Sequence, residues 1–267
     1  MFQKPTSNPW LVIQRSNPRA TLRLFCFPYA GGSTLIYRAW ANSLPAHVEV
    51  CGIQLPGRGS RMHEQPFFDL AELIETLAPA LEPYFDKPFA FFGHSMGATI
   101  SFEMARLLSR EGKEGPRHLF VSGRRAPQFP ETDRPTYILP EPEFIEELRR
   151  LNGTPRELLE NPELMQLMLP LLRADFTLCQ TYKLKEAASL ACPITACGGL
   201  ADKCVTREHL EGWRQHTSAS FALRMFEGDH FFLHTAQSTL LRVLGQELSP
   251  LGFSVSSNGN GDSTKLH

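Results

Sequence analysis

Short apolar runs alternate with amphipathic stretches along most of this chain, and this alternation constrains the fold more than any other feature of the sequence. The apolar runs are bounded by Gly or Pro, as buried strands are. The stretches between them repeat apolar residues at spacings of three and four, as helices with one buried face do. The pattern predicts an α/β fold with a mostly parallel central sheet and helices on both of its faces.

The same pattern gives approximate bounds for the individual elements. The predicted strands are residues 21–27, 47–53, 89–92, 118–122, 193–197 and 221–226. Predicted helices between them include residues 70–84, 98–110, 207–215 and 235–248.

One segment, at about residues 130–187, breaks the alternation because it has a helical pattern but no convincing strand. Residues 154–157 and the pair Asn161-Pro162 each mark a helix start, since a capping side chain precedes a proline that fits the first helical turn. We expect this segment to be an inserted helical lid.

A single domain fits the length and composition of the chain. With 267 residues, of which 42% are hydrophobic and 21% charged, the chain can bury one large core without metals or crosslinks. Residues 1 to about 20 are predicted to be an extended lead-in. Residues 254–267 are polar and low in complexity, so we expect a disordered tail after one domain over residues 1–253.

The charge balance and the hydropathy of the chain exclude two classes of partner. The formal net charge is −1 at pH 7 and no Lys/Arg-rich run occurs, which argues against nucleic acid as a partner. No apolar stretch has the length of a signal peptide or a membrane span. We therefore expect no membrane insertion and a cytoplasmic location.

The pentapeptide Gly93-His94-Ser95-Met96-Gly97 matches the GxSxG pattern of a nucleophile elbow, in which the glycines permit a tight turn that exposes the serine Oγ. The three fixed positions alone are a weak signal. Here a buried-strand run comes directly before the motif and a predicted helix directly after it, which is the context that the motif requires. We predict that Ser95 is a nucleophile.

A serine nucleophile needs a base that a carboxylate orients, and in this fold the chain order is serine, acid, histidine. Asp202 follows the predicted strand at 193–197, so it lies at the carboxyl ends of the strands, where α/β sites form. Asp175 is the competing acid, but it falls within the predicted lid. Placement in the fold favours Asp202.

Nine histidines are candidates for the base. Position in the sequence sets aside seven of them: His47, His63, His94, His118, His209, His216 and His267. Of the two that remain, His230 follows the last predicted strand through a turn, where a loop side chain can lean over the sheet. His234 lies close to the start of the final helix, so His230 is favoured.

The tetrahedral intermediate of acyl transfer also needs two backbone N–H donors. Met96, the residue after the nucleophile, supplies the first. The Gly-rich turn after the first predicted strand supplies the second, from Ala30 or a neighbour.

With these residues identified, the chain resembles the type II thioesterases that accompany polyketide and nonribosomal peptide synthetases, and the related medium-chain thioesterase of animal fatty acid synthase. The resemblance extends from Leu22 to Leu248. It is carried by Leu24-Phe25-Cys26-Phe27-Pro28-Tyr29-Ala30-Gly31-Gly32, Leu55-Pro56-Gly57-Arg58, Phe91-Phe92-Gly93-His94-Ser95-Met96-Gly97-Ala98, Arg173-Ala174-Asp175 and Gly228-Asp229-His230-Phe231-Phe232.

The resemblance implies an α/β-hydrolase fold and hydrolysis of acyl groups from the phosphopantetheine arm of an acyl- or peptidyl-carrier protein, which clears misloaded or stalled units. It implies Ser95, Asp202 and His230 as the triad, with the amides of Met96 and Ala30 as the oxyanion hole. No cofactor or metal is expected, and we expect a monomer.

Several alternatives stay open at this point. The same fold and triad serve medium-chain fatty acyl release and also esterases and acyltransferases, and a catalytically silent module that docks carrier proteins is a different class of function. Met165 and Met168 lie in a helix that is apolar on too many sides for a surface helix. They either line an acyl-chain site or pack between core and lid. For Arg58, a salt bridge is favoured over a substrate contact.

Overall fold

The computed structural model describes residues 8–130, 134–185 and 189–252. The predicted disordered tail at 254–267 lies outside the described residues. So do the start of the lead-in, residues 1–7, and two short parts of the predicted lid, residues 131–133 and 186–187.

The described residues form one seven-stranded sheet. Its strands are β1 Leu11–Ile13, β2 Leu22–Phe27, β3 Val48–Ile53, β4 Phe89–His94, β5 Leu119–Ser122, β6 Ile194–Gly199 and β7 Phe221–Phe226. Their order across the sheet is β1-β3-β2-β4-β5-β6-β7. Only β1 runs antiparallel to its neighbour, so the prediction of a mostly parallel sheet is confirmed.

Helices cover both faces of this sheet, as predicted. They are α1 Leu70–Leu81, α2 Met96–Arg110, α3 Glu141–Leu151, α4 Arg156–Leu159, α5 Pro162–Thr181, α6 Arg207–Glu211, α7 Phe232–Thr235 and α8 Gln237–Leu248. Along β2, Phe25 and Phe27 pack with side chains of α1 and α2, whereas Leu24 and Cys26 pack with side chains of α8 on the opposite face. Because both faces are buried, the strand is almost entirely apolar in sequence, with Arg23 near its start as the exception.

The first strand was missed by the sequence analysis, which predicted an extended lead-in there. Leu11 pairs with Ile53 and Ile13 with Cys51, so β1 adds an antiparallel edge to the sheet. Three half-buried residues at an edge are too few to show a strand period, and only the partner strand reveals the pairing.

Several helix ends also differ from their predicted positions. The helix predicted to reach residue 84 ends at Leu81 and continues as a 3-10 turn over Glu82–Tyr84. The helix predicted to end at 215 changes at Gly212 into the 3-10 turn Gly212–His216. The last helix begins at Gln237 rather than at 235. Such ends depend on local hydrogen bonds that hydropathy periodicity does not encode.

The segment between β5 and β6 is helical, and its described residues 134–185 contain no strand. At the start of α5 the side chain of Asn161 accepts hydrogen bonds from the N–H groups of Glu163 and Leu164, as the sequence predicted. At α4 the capping position is taken by Pro155, one residue later than predicted. We call residues 134–185 the inserted segment.

The order of the strands determines where a site can form. β2 lies between β3 and β4, so the chain passes from β2 to β3 on one side and then crosses to β4 on the other side of β2. Loops diverge at such a switch point and leave a crevice at the carboxyl ends of the strands. The Gly-rich loop after β2 and the turn after β4 both border this crevice.

Candidate active site

Ser95 occupies a sharp turn between β4 and α2. Its backbone has φ 51° and ψ −113°, a conformation that costs energy for any residue with a Cβ atom. A Cβ atom at Gly93 would overlap the carbonyl oxygen of Gly97, and one at Gly97 would overlap the carbonyl oxygen of Phe27. Both glycines of the pentapeptide are therefore required for strand, turn and helix to approach this closely.

His230 and Asp202 are joined by a hydrogen bond. The Nδ1 atom of His230 lies 2.8 Å from Oδ2 of Asp202, whose side chain is 0% exposed. The other carboxylate oxygen accepts N–H bonds from Cys204 at 2.8 Å and Val205 at 3.1 Å. With both oxygens engaged, the carboxylate is fixed and leaves Nε2 of His230 available to another group.

Two opposing effects act on the pKa of Asp202. Burial disfavours the charged carboxylate, but the hydrogen bond and charge of His230 and the N–H bonds from Cys204 and Val205 outweigh it, so the pKa of Asp202 is lowered. Asp202 is therefore ionised at neutral pH and can stabilise a positive charge on His230.

One pocket contains both Ser95 and His230 in its wall. Tyr29 and Ala30 from the loop after β2 line the same pocket, and Leu148 and Phe176 are among the residues that the inserted segment contributes. The fold thus brings a hydroxyl, an oriented imidazole and an apolar wall together from four separate parts of the chain.

Two N–H groups of the loop after β2 have acceptors within the protein. The N–H of Gly31 donates to Asp175 at 2.7 Å and that of Gly32 to the carbonyl oxygen of Tyr29 at 2.9 Å. Among the described residues, none accepts a hydrogen bond from the N–H of Ala30 or of Met96. These two amides are the ones that the sequence analysis named as candidate oxyanion donors.

The competing acid, Asp175, lies in α5 and is engaged elsewhere. Its carboxylate accepts two hydrogen bonds from the guanidinium of Arg58, at 2.9 and 2.7 Å. Arg58 therefore forms the salt bridge that the sequence favoured over a substrate contact. Sequence reasoning had named both residues in separate motifs, but nothing in their spacing showed that they pair.

Two further histidines lie near the pocket, His94 beside His230 and His234 beside Tyr29. The ring of His94 is 5.2 Å from that of His230 and completely buried, and its Nδ1 is 2.9 Å from the hydroxyl of Ser122. Burial, with the neighbouring charges of His230 and His234, holds the pKa of His94 well below its ordinary value, so this ring is neutral. His234 contacts the hydroxyl of Tyr29 at 3.0 Å. Tyr29 was not singled out from the sequence, although it directly precedes Ala30.

Met165 and Met168 do not lie in the wall of this pocket. Met165 is 2% exposed and packs with Phe144, Leu148 and other apolar side chains of the inserted segment, and Met168 packs against the same cluster. Both methionines thus pack against other side chains of the inserted segment, whereas Leu172 and Phe176 of the same helix line the pocket.

Neither a metal centre nor a membrane span is found in the described part of the chain. Within residues 8–130, 134–185 and 189–252, no three His, Cys, Asp or Glu side chains are grouped so that they could hold a metal ion. In the same ranges no helix combines the length and the apolar character that a bilayer crossing needs.

Comparison with known proteins gives one family match and several close relatives. The model of the thioesterase domain matches residues 22–248. The chain is 46% identical over 241 residues to the gramicidin S biosynthesis protein GrsT of Aneurinibacillus migulanus. The aligned region covers 90% of the chain and 94% of GrsT. It is 49% identical over 252 residues to a protein of Brevibacillus parabrevis named linear gramicidin dehydrogenase LgrE, with coverage of 92% and 96%.

A solved structure has a fold similar to that of this chain. The type II thioesterase BorB from the borrelidin biosynthetic cluster superposes with a TM-score of 0.83 at 36% sequence identity. The match covers 92% of the chain and 100% of BorB.

Proposed function

The chain belongs to the thioesterase family, and from this premise we propose that it hydrolyses acyl thioesters carried on the phosphopantetheine arm of carrier proteins. The observation that carries the proposal is the meeting, in one pocket wall, of the turn serine Ser95 with His230, whose ring is bonded to Asp202. A hydroxyl beside an oriented imidazole is what acyl transfer through a serine requires.

In the proposed reaction, Oγ of Ser95 attacks the thioester carbonyl carbon while Nε2 of His230 accepts the hydroxyl proton. The tetrahedral intermediate collapses with cleavage of the C–S bond, and His230 returns the proton to the departing thiol of the carrier. Water then attacks the acyl-serine with His230 again as base. The second collapse releases the free acid and restores Ser95.

The negative oxygen of each intermediate needs donors that are already in place. The N–H groups of Ala30 and Met96 suit this role, because Ala30 lines the pocket, Met96 directly follows Ser95, and neither amide is used within the described structure. Preorganised amides cost no reorganisation when the charge develops, which is why such donors lower the barrier strongly.

Asp202→Asn is expected to lower kcat about 10⁴-fold at neutral pH, because a neutral amide cannot stabilise a protonated His230 and favours the wrong ring tautomer. The measurement is thiol release from an acyl-carrier substrate at saturating concentration. Glu227→Gln is the matched control, since Glu227 is an exposed carboxylate in the turn after β7 that leads to His230, and it should leave kcat unchanged. Retention of more than a tenth of kcat by the Asp202 variant would contradict the assigned role.

The biosynthetic setting is supported by the relatives. GrsT is named for gramicidin S biosynthesis and BorB for the borrelidin cluster, in which it is described as a type II thioesterase. By this likeness we assign the present chain to the removal of misloaded or stalled acyl units from a nonribosomal peptide or polyketide assembly line. Its direct partner is then an acyl- or peptidyl-carrier protein.

The inserted segment serves, in this proposal, as a lid over the acyl chain. Its residues Leu148, Leu172 and Phe176 give the pocket that His230 lines an apolar wall. An apolar wall of this kind binds acyl chains through the hydrophobic effect, and closure of the lid over the bound chain separates the thioester from bulk water.

The experiment that tests the proposed function compares leaving groups and acyl units. Carrier proteins loaded with short, branched or long acyl groups are incubated with the protein, and release of the acid is followed by mass spectrometry. Acyl-CoA and oxygen esters of the same acids are run in parallel, with Ser95→Ala as the blank. We expect acyl-carrier substrates to be hydrolysed fastest.

Three outcomes would contradict the proposal. Preference for oxygen esters would indicate an esterase, and rapid release of medium-chain acids alone would indicate a fatty-acid-releasing enzyme. Failure of a fluorophosphonate probe to label Ser95, together with carrier binding but no release, would indicate a docking module without catalysis.

A further inference from the structure

Two sequence motifs that the reaction does not use meet in the interior of the protein. Arg58 comes from the loop after β3 and Asp175 from the middle of α5, and their side chains are 4% and 1% exposed. The guanidinium and the carboxylate form two parallel hydrogen bonds, at 2.9 and 2.7 Å. Such a forked, buried pair is rigid in a way that an exposed ion pair is not.

The pair holds two peptide units of the loop after β2, the one before Gly31 and the one after Gly32. Oδ2 of Asp175 accepts the N–H of Gly31 at 2.7 Å, and Nη1 of Arg58 donates to the carbonyl oxygen of Gly32 at 3.2 Å. Gly31 has φ +73°, so a backbone of this shape is available to few other residues. The loop conformation is therefore imposed by contacts with α5 and with the β3 loop.

Helix α5 also contacts this region sterically. A Cβ atom on Gly31 would lie 2.7 Å from Cδ2 of Leu172, and one on Gly57 would lie 3.0 Å from Cδ1 of Leu171. One turn of α5 thus touches the loop after β2, through Leu172 and Asp175, and the loop after β3, through Leu171.

From these contacts we infer that Asp175 and Arg58 are positioning residues for the oxyanion hole. Asp175 accepts the N–H of Gly31 and so leaves the preceding N–H, that of Ala30, as the one that faces the reacting carbonyl. The inference rests on the proposed thioester hydrolysis. It assigns a role to the Leu55-Pro56-Gly57-Arg58 and Arg173-Ala174-Asp175 motifs. It also means that α5, a helix of the inserted segment, contributes to stabilising the transition state.

The test compares the kcat of two variants in which a buried carboxylate is replaced by the corresponding amide, one beside the loop of Ala30 and one remote from the pocket. Asp175→Asn keeps an oxygen for the N–H of Gly31 but loses the charge that fixes it against Arg58. Glu49→Gln is the matched control, because Glu49 is also buried and accepts both an arginine bond, from Arg23 at 2.9 Å, and a backbone N–H, from Asn17 at 3.0 Å. Arg23 is at the start of β2, at the end of the strand away from the pocket.

Asp175→Asn is expected to lower kcat about tenfold to a hundredfold with KM unchanged, since loss of a whole oxyanion donor costs about 10² to 10³ in kcat and displacement of one costs part of that. Inhibition by a trifluoromethyl ketone, which forms a tetrahedral adduct with Ser95, should weaken by the same factor. The pH dependence of kcat/KM should not move. Glu49→Gln should alter only the unfolding temperature.

A second variant covers the case in which Asp175→Asn folds poorly because it leaves Arg58 unpaired. The double variant Arg58→Met with Asp175→Leu removes both buried charges together, a change that is often neutral for stability. We expect it to fold and still to show the loss of kcat and of tetrahedral-adduct affinity.

Each possible result either supports or refutes the positioning role of Asp175 and Arg58. If the wild-type protein is active but Asp175→Asn keeps its kcat, or loses it only to the extent that Glu49→Gln does, the inference is wrong and the proposed function stands. A rise in KM alone, or a shift of the pH profile, would also overturn it. Absence of thioester hydrolysis in the wild-type protein would instead overturn the proposed function.

Discussion

Ser95→Ala is expected to lower kcat for acyl-carrier hydrolysis about 10⁶-fold, an effect as large as that expected for loss of His230. In the proposed reaction the hydroxyl of Ser95 forms the covalent intermediate, which alanine cannot form. We expect the residual rate to come from the amides of Ala30 and Met96, which in this proposal would still stabilise an intermediate formed by direct attack of water. The measurement is single-turnover release of the acyl group, followed by mass.

The alanine variant should keep its fold, because alanine and serine meet the same steric cost at φ 51°. Its unfolding temperature is the control for this, and loss of fluorophosphonate labelling is the control for the chemistry. Labelling of another residue in the alanine variant, or a kcat within tenfold of the wild type, would show that Ser95 is not the nucleophile.

Gly97→Ala is expected to have the largest effect on stability. The added methyl group would overlap the backbone oxygen of Phe27 at the end of β2, and a backbone atom cannot move aside as a flexible side chain can. We expect a loss of about 3 kcal/mol in the free energy of unfolding, from overpacking against a fixed neighbour. This corresponds to a fall of roughly 6–12 °C in unfolding temperature for a domain of this size.

Activity should fall as well in the protein that remains folded, because Phe27 leads directly into the loop that carries Ala30. Gly115→Ala is the matched control, since nothing lies within 4 Å of a Cβ atom placed there. Thermal unfolding of the two variants side by side gives the measurement. Equal unfolding temperatures for both variants would refute the close approach between α2 and β2.

Most of the strands that the sequence predicted are buried over their whole length. In β2, β3 and β4 every residue is buried and nearly all are apolar, the charged exceptions being Arg23 in β2 and Glu49 in β3, which pair with each other. β1 lacks this feature because it is a short, half-buried edge strand. Its existence depends on hydrogen bonds to β3, and those are invisible in the residues of β1 themselves.

The elbow was predictable for a similar reason. A glycine on each side of Ser95, after a buried strand and before a helix, is a local pattern with local causes. Asp202 and His230 were named from chain order and loop position, and the 2.8 Å contact between them agrees with that placement. The wall of the pocket was not predictable. Met165 and Met168 were candidates for it on residue type, whereas the rotation of α5 decides which side chains face inward.

The sequence by itself determined the α/β class, the mostly parallel sheet and the turn that presents Ser95, because these follow from hydropathy period and from backbone freedom at neighbouring residues. Only the tertiary structure decided that Arg58 pairs with Asp175, 117 positions away, and that this pair forms hydrogen bonds with the loop that contains Ala30. The reason is that a buried charge must find its partner in space, and the folded chain alone sets which groups become neighbours.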